Sequence, residues 1–289
     1  MKLLFYLTMI SFFYAQDAEL NSIHYSSFSV DSIKHLHQLG RDKDPKKIND
    51  VNPIKVMFRK VAWEILSIPG LRFMTRHVYP KSTISHFDRM GAVAFTIDDG
   101  FCGLDNKNGC LLEEVRTLLK SYDASATFFI SGSHCQHVKE STIKDLINDG
   151  HELANHNMMD WPYDKYTSEE FLRDLNFTEN ILLKYRPKPS IWYRAPFGRI
   201  SKEMQKIIDD KKMVHVVTDA FANDTTIPDA KWISNFILRK VKPGSIILIH
   251  MPEKNVREWN LQAMKETLEG LKQKNYKIVN LTKLYKKDY

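Results

Sequence analysis

Asp98 and Asp99 close the run Ala92–Gly100, Ala-Val-Ala-Phe-Thr-Ile-Asp-Asp-Gly, which reads as a buried strand ending on two adjacent carboxylates. A continuous apolar run of this length suits a parallel strand covered on both faces. Gly100 frees the backbone to turn sharply. Neighbouring side chains on a strand point to opposite faces, but a strand end bends, so both carboxylates can reach one pocket in different roles. Two ionised carboxylates in a dry site repel each other and lose hydration, and a divalent cation compensates them most simply. A solvated Asp-Asp-Gly turn is the other reading of this stretch taken alone. His156 and Asp160 stand four apart in His156-Asn-Met-Met-Asp160. On a helical turn they would share a face within reach of a common ion. With Asp99 they offer three ligands and leave positions open for water, as a catalytic metal requires. His156 by itself reads equally as a hydrogen-bonded core histidine.

The elements that must position these groups follow from the apolar pattern. Short apolar runs at Ala92–Ile97, Ser125–Ser131, Glu152–His156, Ser190–Arg194, Met213–Thr218, Ser245–His250 and Tyr276–Leu281 predict strands. Between them, amphipathic stretches predict helices at Leu111–Tyr122, Thr142–Asp149, Ser168–Tyr185, Ser201–Lys212, Ala230–Val241 and Leu261–Lys274. Thr167-Ser-Glu-Glu170 is a capping box opening the third of these. Strict alternation argues for an α/β fold with a parallel sheet and helices outside. Seven strands without a glycine-rich phosphate loop after the first favour a barrel over an open dinucleotide-binding sheet. Asp98/Asp99, His156, Arg194, Asp219 to Asp224 and His250 then all stand at C-terminal strand ends, on one face of the barrel.

Thr96-Ile-Asp-Asp-Gly100, His156-Asn-Met-Met-Asp160, Arg194-Ala-Pro-Phe-Gly198, Asp219–Asp224 and Leu248-Ile-His250 occur in the order and spacing of one known family. The chain resembles the polysaccharide deacetylase (NodB-homology) domain, carbohydrate esterase family 4, including chitin deacetylases. The likeness covers roughly Arg89–Leu284, with Ala126–Ile130 and Gly150–Asn155 similar to the family's second and third strands. The resemblance implies a distorted (β/α)7 barrel and a metal-dependent hydrolase that removes N-acetyl groups from an N-acetylglucosamine polymer. It implies that Asp99, His156 and Asp160 hold one divalent ion, zinc first, with Mn²⁺, Co²⁺ or Mg²⁺ as alternatives. Asp98 would be the general base, kept ionised and oriented by Arg194. His250 would be the general acid, with Asp224 favouring its charged form. The Phe197 N–H would help stabilise the oxyanion, Pro196 would stiffen its loop, and Trp161 and Leu248 would line the substrate pocket.

Two residues depart from the family pattern. Asp160 stands where the commoner pattern has His, so the ion would be nearly neutralised and harder metals better tolerated. Thr225 follows Asp224 where Trp is frequent, so an acetyl-pocket wall would be missing or come from elsewhere: Trp161, Phe197, Phe221 or Ile227. These departures motivate an alternative, a weak or inactive carbohydrate-binding pseudoenzyme on the same fold.

The 289 residues carry 43% hydrophobic and 27% charged side chains and a net charge of +7, which excludes wholesale disorder. The basic charge is spread out, without zinc-finger or RNP-type patterns, so no nucleic-acid partner is expected. Salt-sensitive attachment to an anionic surface, with the barrel as scaffold, is a third reading of the charge. Met1–Ala15 reads as a secretory signal, so the chain is expected to be secreted or at the cell surface and monomeric, without a stable membrane partner unless that signal stays uncleaved. Sequons at Asn176, Asn223 and Asn280 agree with export. Of Cys102, Cys110 and Cys135, two are expected to pair, in an undecided combination. His134-Cys135-Gln136-His137 is a weak hint of a second metal site. Residues 16–88 read as an N-terminal extension with a helix over Ile54–Leu66, and 89–289 as the catalytic domain.

Overall fold

The chain's first strand is built so that its two faces do different things. In β1 (Ala92–Gly100), Val93, Phe95 and Ile97 pack outward into the main hydrophobic core, whereas Ala92 and Ala94 belong to a smaller, separate cluster. The period-2 alternation carries Thr96 and Asp98 onto that second, inner face. A computed structural model describes residues 52–67, 79–103, 106, 108–135, 138–186 and 188–289. The expected leader, Met1–Ala15, and residues 16–51 lie outside the described residues.

Six further strands follow: β2 (Ala126–Ile130), β3 (Glu152–Asn155), β4 (Trp192–Tyr193), β5 (Val214–His215), β6 (Ile246–His250) and β7 (Lys277–Val279). All pairings between them are parallel, in the order β5-β4-β3-β2-β1-β6, and β7 pairs the opening of β1 at Ala92–Ala94. The segment leaving β5 returns to β6 through a parallel bridge between Ala220 and Ile247, so the sheet curls into a distorted barrel. Residues 84–87, which the sequence places in the extension, also join its wall. Ile84 bridges Val216, His86 bridges Ser245, and Phe87 packs in the inner cluster against Trp192, a core residue.

The helices α1 (Pro53–Leu66), α2 (Leu112–Ser121), α3 (Glu140–Asn148), α4 (Ser168–Leu182), α5 (Lys202–Asp210), α6 (Ala230–Lys240), α7 (Trp259–Gln273) and α8 (Leu281–Lys286) complete the order. The main core lies between β1, β2 and β6 on one side and apolar stripes such as Val115/Leu119 of α2 and Ala263/Met264/Leu268/Leu271 of α7 on the other. α4 opens with the expected capping box: Thr167 accepts from the Glu170 N–H, and the Glu170 carboxylate accepts from the Thr167 N–H. The chain's end departs from expectation. Asn280, expected within the last strand, caps α8 by accepting from the Lys283 N–H, while its own amide donates to the Gly150 carbonyl. That buried role takes Asn280 out of reach as a glycan acceptor in the folded chain.

α1 is tied to the rest by its polar edge. Lys60 pairs with Asp229 at 2.5 Å, the Arg59 guanidinium donates to the Thr226 carbonyl, and the Trp63 indole donates to the Phe221 carbonyl at 3.0 Å. Cys102 and Cys110 are disulfide-bonded, and Cys135 remains a free thiol that burial pushes up to about 12. The closed loop packs on the connection after β6, where Cys110 bridges Glu253 and the Lys254 N–H donates to the Gly109 carbonyl.

Candidate active site

β1 ends in a register irregularity between Ile97 and Gly100, and Asp99 there takes the left-handed conformation with φ 58°. The bulge turns the second carboxylate back toward the face on which Asp98 already lies. His134, on the 3₁₀ turn after β2, donates from Nδ1 to the Asp99 backbone carbonyl at 2.9 Å. That role replaces the second-metal reading of His134, and Gln136 and His137 lie outside the described residues.

Asp98 meets Arg194 at 2.6 Å, and the same guanidinium nitrogen donates to the Thr96 hydroxyl. Arg194 also donates from Nε to the Val216 carbonyl and lies 4.0 Å over the Phe129 ring. Four contacts, from β1, β2 and the residue after β5, leave the guanidinium no freedom, so the Asp98 carboxylate is aimed with it.

His156 follows β3, but the residues up to Asp160 form a bend instead of the helical turn considered from the i, i+4 spacing. Asn157 is left-handed at φ 63°, and its carbonyl and that of Met158 accept from the Gly132 and Ser133 N–H groups. The Tyr163 hydroxyl accepts from the Met159 N–H and donates to Asp174 of α4. This braced loop, not helix geometry, brings the pair round. Ligand-type atoms of Asp99, His156 and Asp160 all lie within 4.8 Å of one another, and this is the metal-type cluster found among the described residues.

His156 donates from Nδ1 to the Arg194 carbonyl at 2.8 Å, which in the neutral ring turns the Nε2 lone pair toward Asp99. Nε2 and Asp99 Oδ1 face each other at 3.6 Å, too far for a hydrogen bond, and that buried Oδ1 has no hydrogen-bond partner. Two electron-pair donors opposed across such a gap fit a cation between them, with an Asp-His-Asp donor set suited to a divalent metal. Burial and the charge of Asp99 raise the pKa of Asp160. Asp99, although burial opposes its ionisation, is held well below the usual carboxylate range by Arg257, His250, His156 and His134.

His250 ends β6, opposite Asp98 in register, and Leu248 sits on the same inner face two residues before it, buried. The His250 Nδ1–H donates to Asp224 Oδ1 at 2.8 Å, while its backbone N–H and the Asn260 amide donate to Oδ2. The Trp259 indole donates to the Asp224 carbonyl at 2.9 Å. Burial works against a charged ring, yet Asp224 outweighs it and His250 is pushed up to about 9.

Of the other expected residues, Phe197 is left-handed at φ 57° in the tight turn Pro196–Gly198 directly after Arg194 and Ala195, and Trp161 lies half-buried just beyond Asp160. Asp219 is structural: its carboxylate accepts from the Ile246 N–H and the Ser245 hydroxyl. Ile227 is buried in full, which removes it as a pocket wall, whereas the Phe221 ring stands 5.8 Å from His250, backed edge-on by Trp63.

Sequence reasoning did not find Arg257, whose Nη1 donates to Asp99 Oδ2 at 2.6 Å, nor Asn260 and Trp259, which frame Asp224. The available signal is the i, i+4 pair Glu253/Arg257 in the connection immediately after His250.

Residues 88–216 match the family model described as polysaccharide deacetylase. The chain is 25% identical over 236 residues to the peptidoglycan-N-acetylmuramic acid deacetylase PdaC of Bacillus subtilis, covering 81% of this chain and 44% of that protein. It is 26% identical over 194 residues to a peptidoglycan-N-acetylglucosamine deacetylase of Bacillus cereus, covering 66% of this chain and 87% of that one. In fold it is similar to a CE4-family pseudoenzyme from Bacillus anthracis, with a TM-score of 0.61 and 22% identity over 72% of this chain and 70% of that one. Residues 88–216, which carry the Asp-Asp strand end and the strands β1 to β5, are thus similar to the polysaccharide deacetylase family.

Proposed function

We propose that the domain is a metal-dependent hydrolase that removes N-acetyl groups from an N-acetylglucosamine polymer of the chitin or peptidoglycan type. The observation that carries this reading is the convergence, at one end of the barrel, of an aimed carboxylate, an Asp-His-Asp cluster of metal-ligand type and an imidazole paired with a carboxylate. An amide resists water because the nucleophile and the leaving amine are both poor. Asp99, His156 and Asp160 would hold a divalent cation, zinc being the leading choice, whose positive charge would acidify water and polarise the amide carbonyl. Asp98, fixed by Arg194, accepts the proton from the attacking water. His250, protonated at Nε2 with Nδ1–H held by Asp224, donates a proton to the departing nitrogen. Asn260 and the His250 backbone N–H pin Asp224, so the ring keeps its direction while its charge changes. Phe221, with Phe197 and Trp161, supports an apolar wall for the acetyl group in place of the tryptophan that Thr225 replaces. The signal-like Met1–Ala15 supports action outside the cell.

The reading is tested by acetate release from N-acetylglucosamine oligomers and from peptidoglycan, with metal-reconstituted wild type and Asp98→Asn in parallel. Release by wild type and its loss in the variant support the proposal. Oligomer binding without acetate release under any divalent metal would support the carbohydrate-binding pseudoenzyme instead.

A further inference from the structure

The cation cluster has a fourth, permanently charged neighbour. Arg257 lies on the connection between β6 and α7, is 8% exposed, and reaches the second oxygen of Asp99, Oδ2, at 2.6 Å. Behind it Glu253 is completely buried, 3.9 Å from the guanidinium, with neither carboxylate oxygen hydrogen-bonded. The disulfide-closed loop braces this connection through the Cys110–Glu253 bridge and the bond from the Asn106 amide to the Lys254 carbonyl. Arg257 is therefore built in, and it divides the Asp99 carboxylate: Oδ2 is taken and Oδ1 is bare.

Two consequences follow from the charges. Asp99 is prevented from gripping a metal with both oxygens, because a guanidinium already occupies one of them. A fixed positive charge also stands beside an Asp-His-Asp donor set whose two carboxylates alone would neutralise a divalent ion. We propose that Arg257 is a positioning residue for this centre, committing Asp99 to one ligand atom and restoring a surplus positive charge to the metal-loaded site. The chain thereby gives up metal affinity for a more electron-withdrawing centre. Glu253 moderates the effect by partly offsetting the guanidinium charge.

This inference rests on the metal-centre reading above, and one titration separates the two. The full chain, stripped with EDTA, is titrated with Zn²⁺ and separately with Mn²⁺ by calorimetry, as wild type, Arg257→Met and Glu253→Gln. Arg257→Met is expected to bind both metals about tenfold or more tightly, because repulsion falls and Oδ2 becomes available. Without metal it is expected to melt lower than wild type, because the buried Asp99 loses its cation, and to gain more in Tm on metal addition. Glu253→Gln is expected to shift affinity the other way, weakening it several-fold, and serves as the test should Arg257→Met fail to fold. Unchanged or weaker binding by Arg257→Met, or unchanged or tighter binding by Glu253→Gln, would overturn the role of Arg257 while leaving the metal centre standing. Failure of wild type to bind any divalent ion would overturn both.

Discussion

Two acid–imidazole groups face each other across the mouth of this barrel, and they differ in how complete they are. Asp224 and His250 are closed by the chain itself: one Asp224 oxygen takes the ring N–H, the other takes the His250 and Asn260 N–H groups, and Trp259 takes the carbonyl. Asp99, His156 and Asp160 are equally well positioned but under-bonded, with a bare buried oxygen opposite an imidazole nitrogen at 3.6 Å. A buried polar group without a partner costs on the order of 1–3 kcal/mol, which a cation bound between Asp99 and His156 would offset. On the proposed reading, the first group holds a proton and the second a cation.

That contrast can be broken in four ways. Removing the cation is expected to have the largest effect. Chelation, or His156→Ala, should lower acetate release by about 10³-fold or more, and metal should restore only the chelated wild type. Asp98→Asn should cost about 10²–10⁴-fold in kcat, since it removes the proton acceptor while the cluster still binds metal; calorimetry on the same sample checks the second half. Asp224→Asn acts on the complete group. Because the ring is raised to about 9 in wild type, it stays charged through neutral pH, so activity should persist to the alkaline side and fall as pH passes that value. The variant's ring should return toward its ordinary value of about 6.5, moving the alkaline limb of kcat/KM down by about two units. Stability should follow the same sign. The raised pKa contributes stability fully below about pH 6.5 and loses it as pH rises through about 9, a slope the variant should lack. An NMR titration of His250 checks both. The smallest effect is expected from Trp63→Ala, which removes the indole bond to the Phe221 carbonyl and the edge-on ring contact. A loss of about 1–2 kcal/mol in stability and a several-fold drop in kcat/KM would show that α1 steadies the wall beside His250.

Much of this was legible because it is written locally. The seven apolar runs are the seven strands, since period and length identify a buried strand without reference to its neighbours. Two of them, β4 and β5, keep only two ladder residues, because pairing in a curling sheet depends on neighbouring strands and not on apolarity. The same limit applied at the C-terminus, where Asn280 chose a helix cap over the strand. In the site, Asp98, Asp99, His156, Asp160, Arg194, Asp224 and His250 converge as their strand-end positions imply. The route was misread only for His156 and Asp160, which a braced bend brings together in place of a helix. Arg257, Asn260 and Trp63 were not legible, because each acts on a residue 35 or more positions away through a loop path or a packed helix: Arg257 on Asp99, Asn260 on Asp224, Trp63 on Phe221. Nothing in their own neighbourhood announces a partner.

The central claim is that the under-bonded group holds a cation, and a crystal grown with metal and measured across its absorption edge tests it most directly. The account predicts one anomalous peak within about 2.0–2.2 Å of Asp99 Oδ1, His156 Nε2 and an Asp160 oxygen, with Arg257 still on Oδ2. An absence of density among those three side chains at saturating metal, in protein that folds, would contradict it.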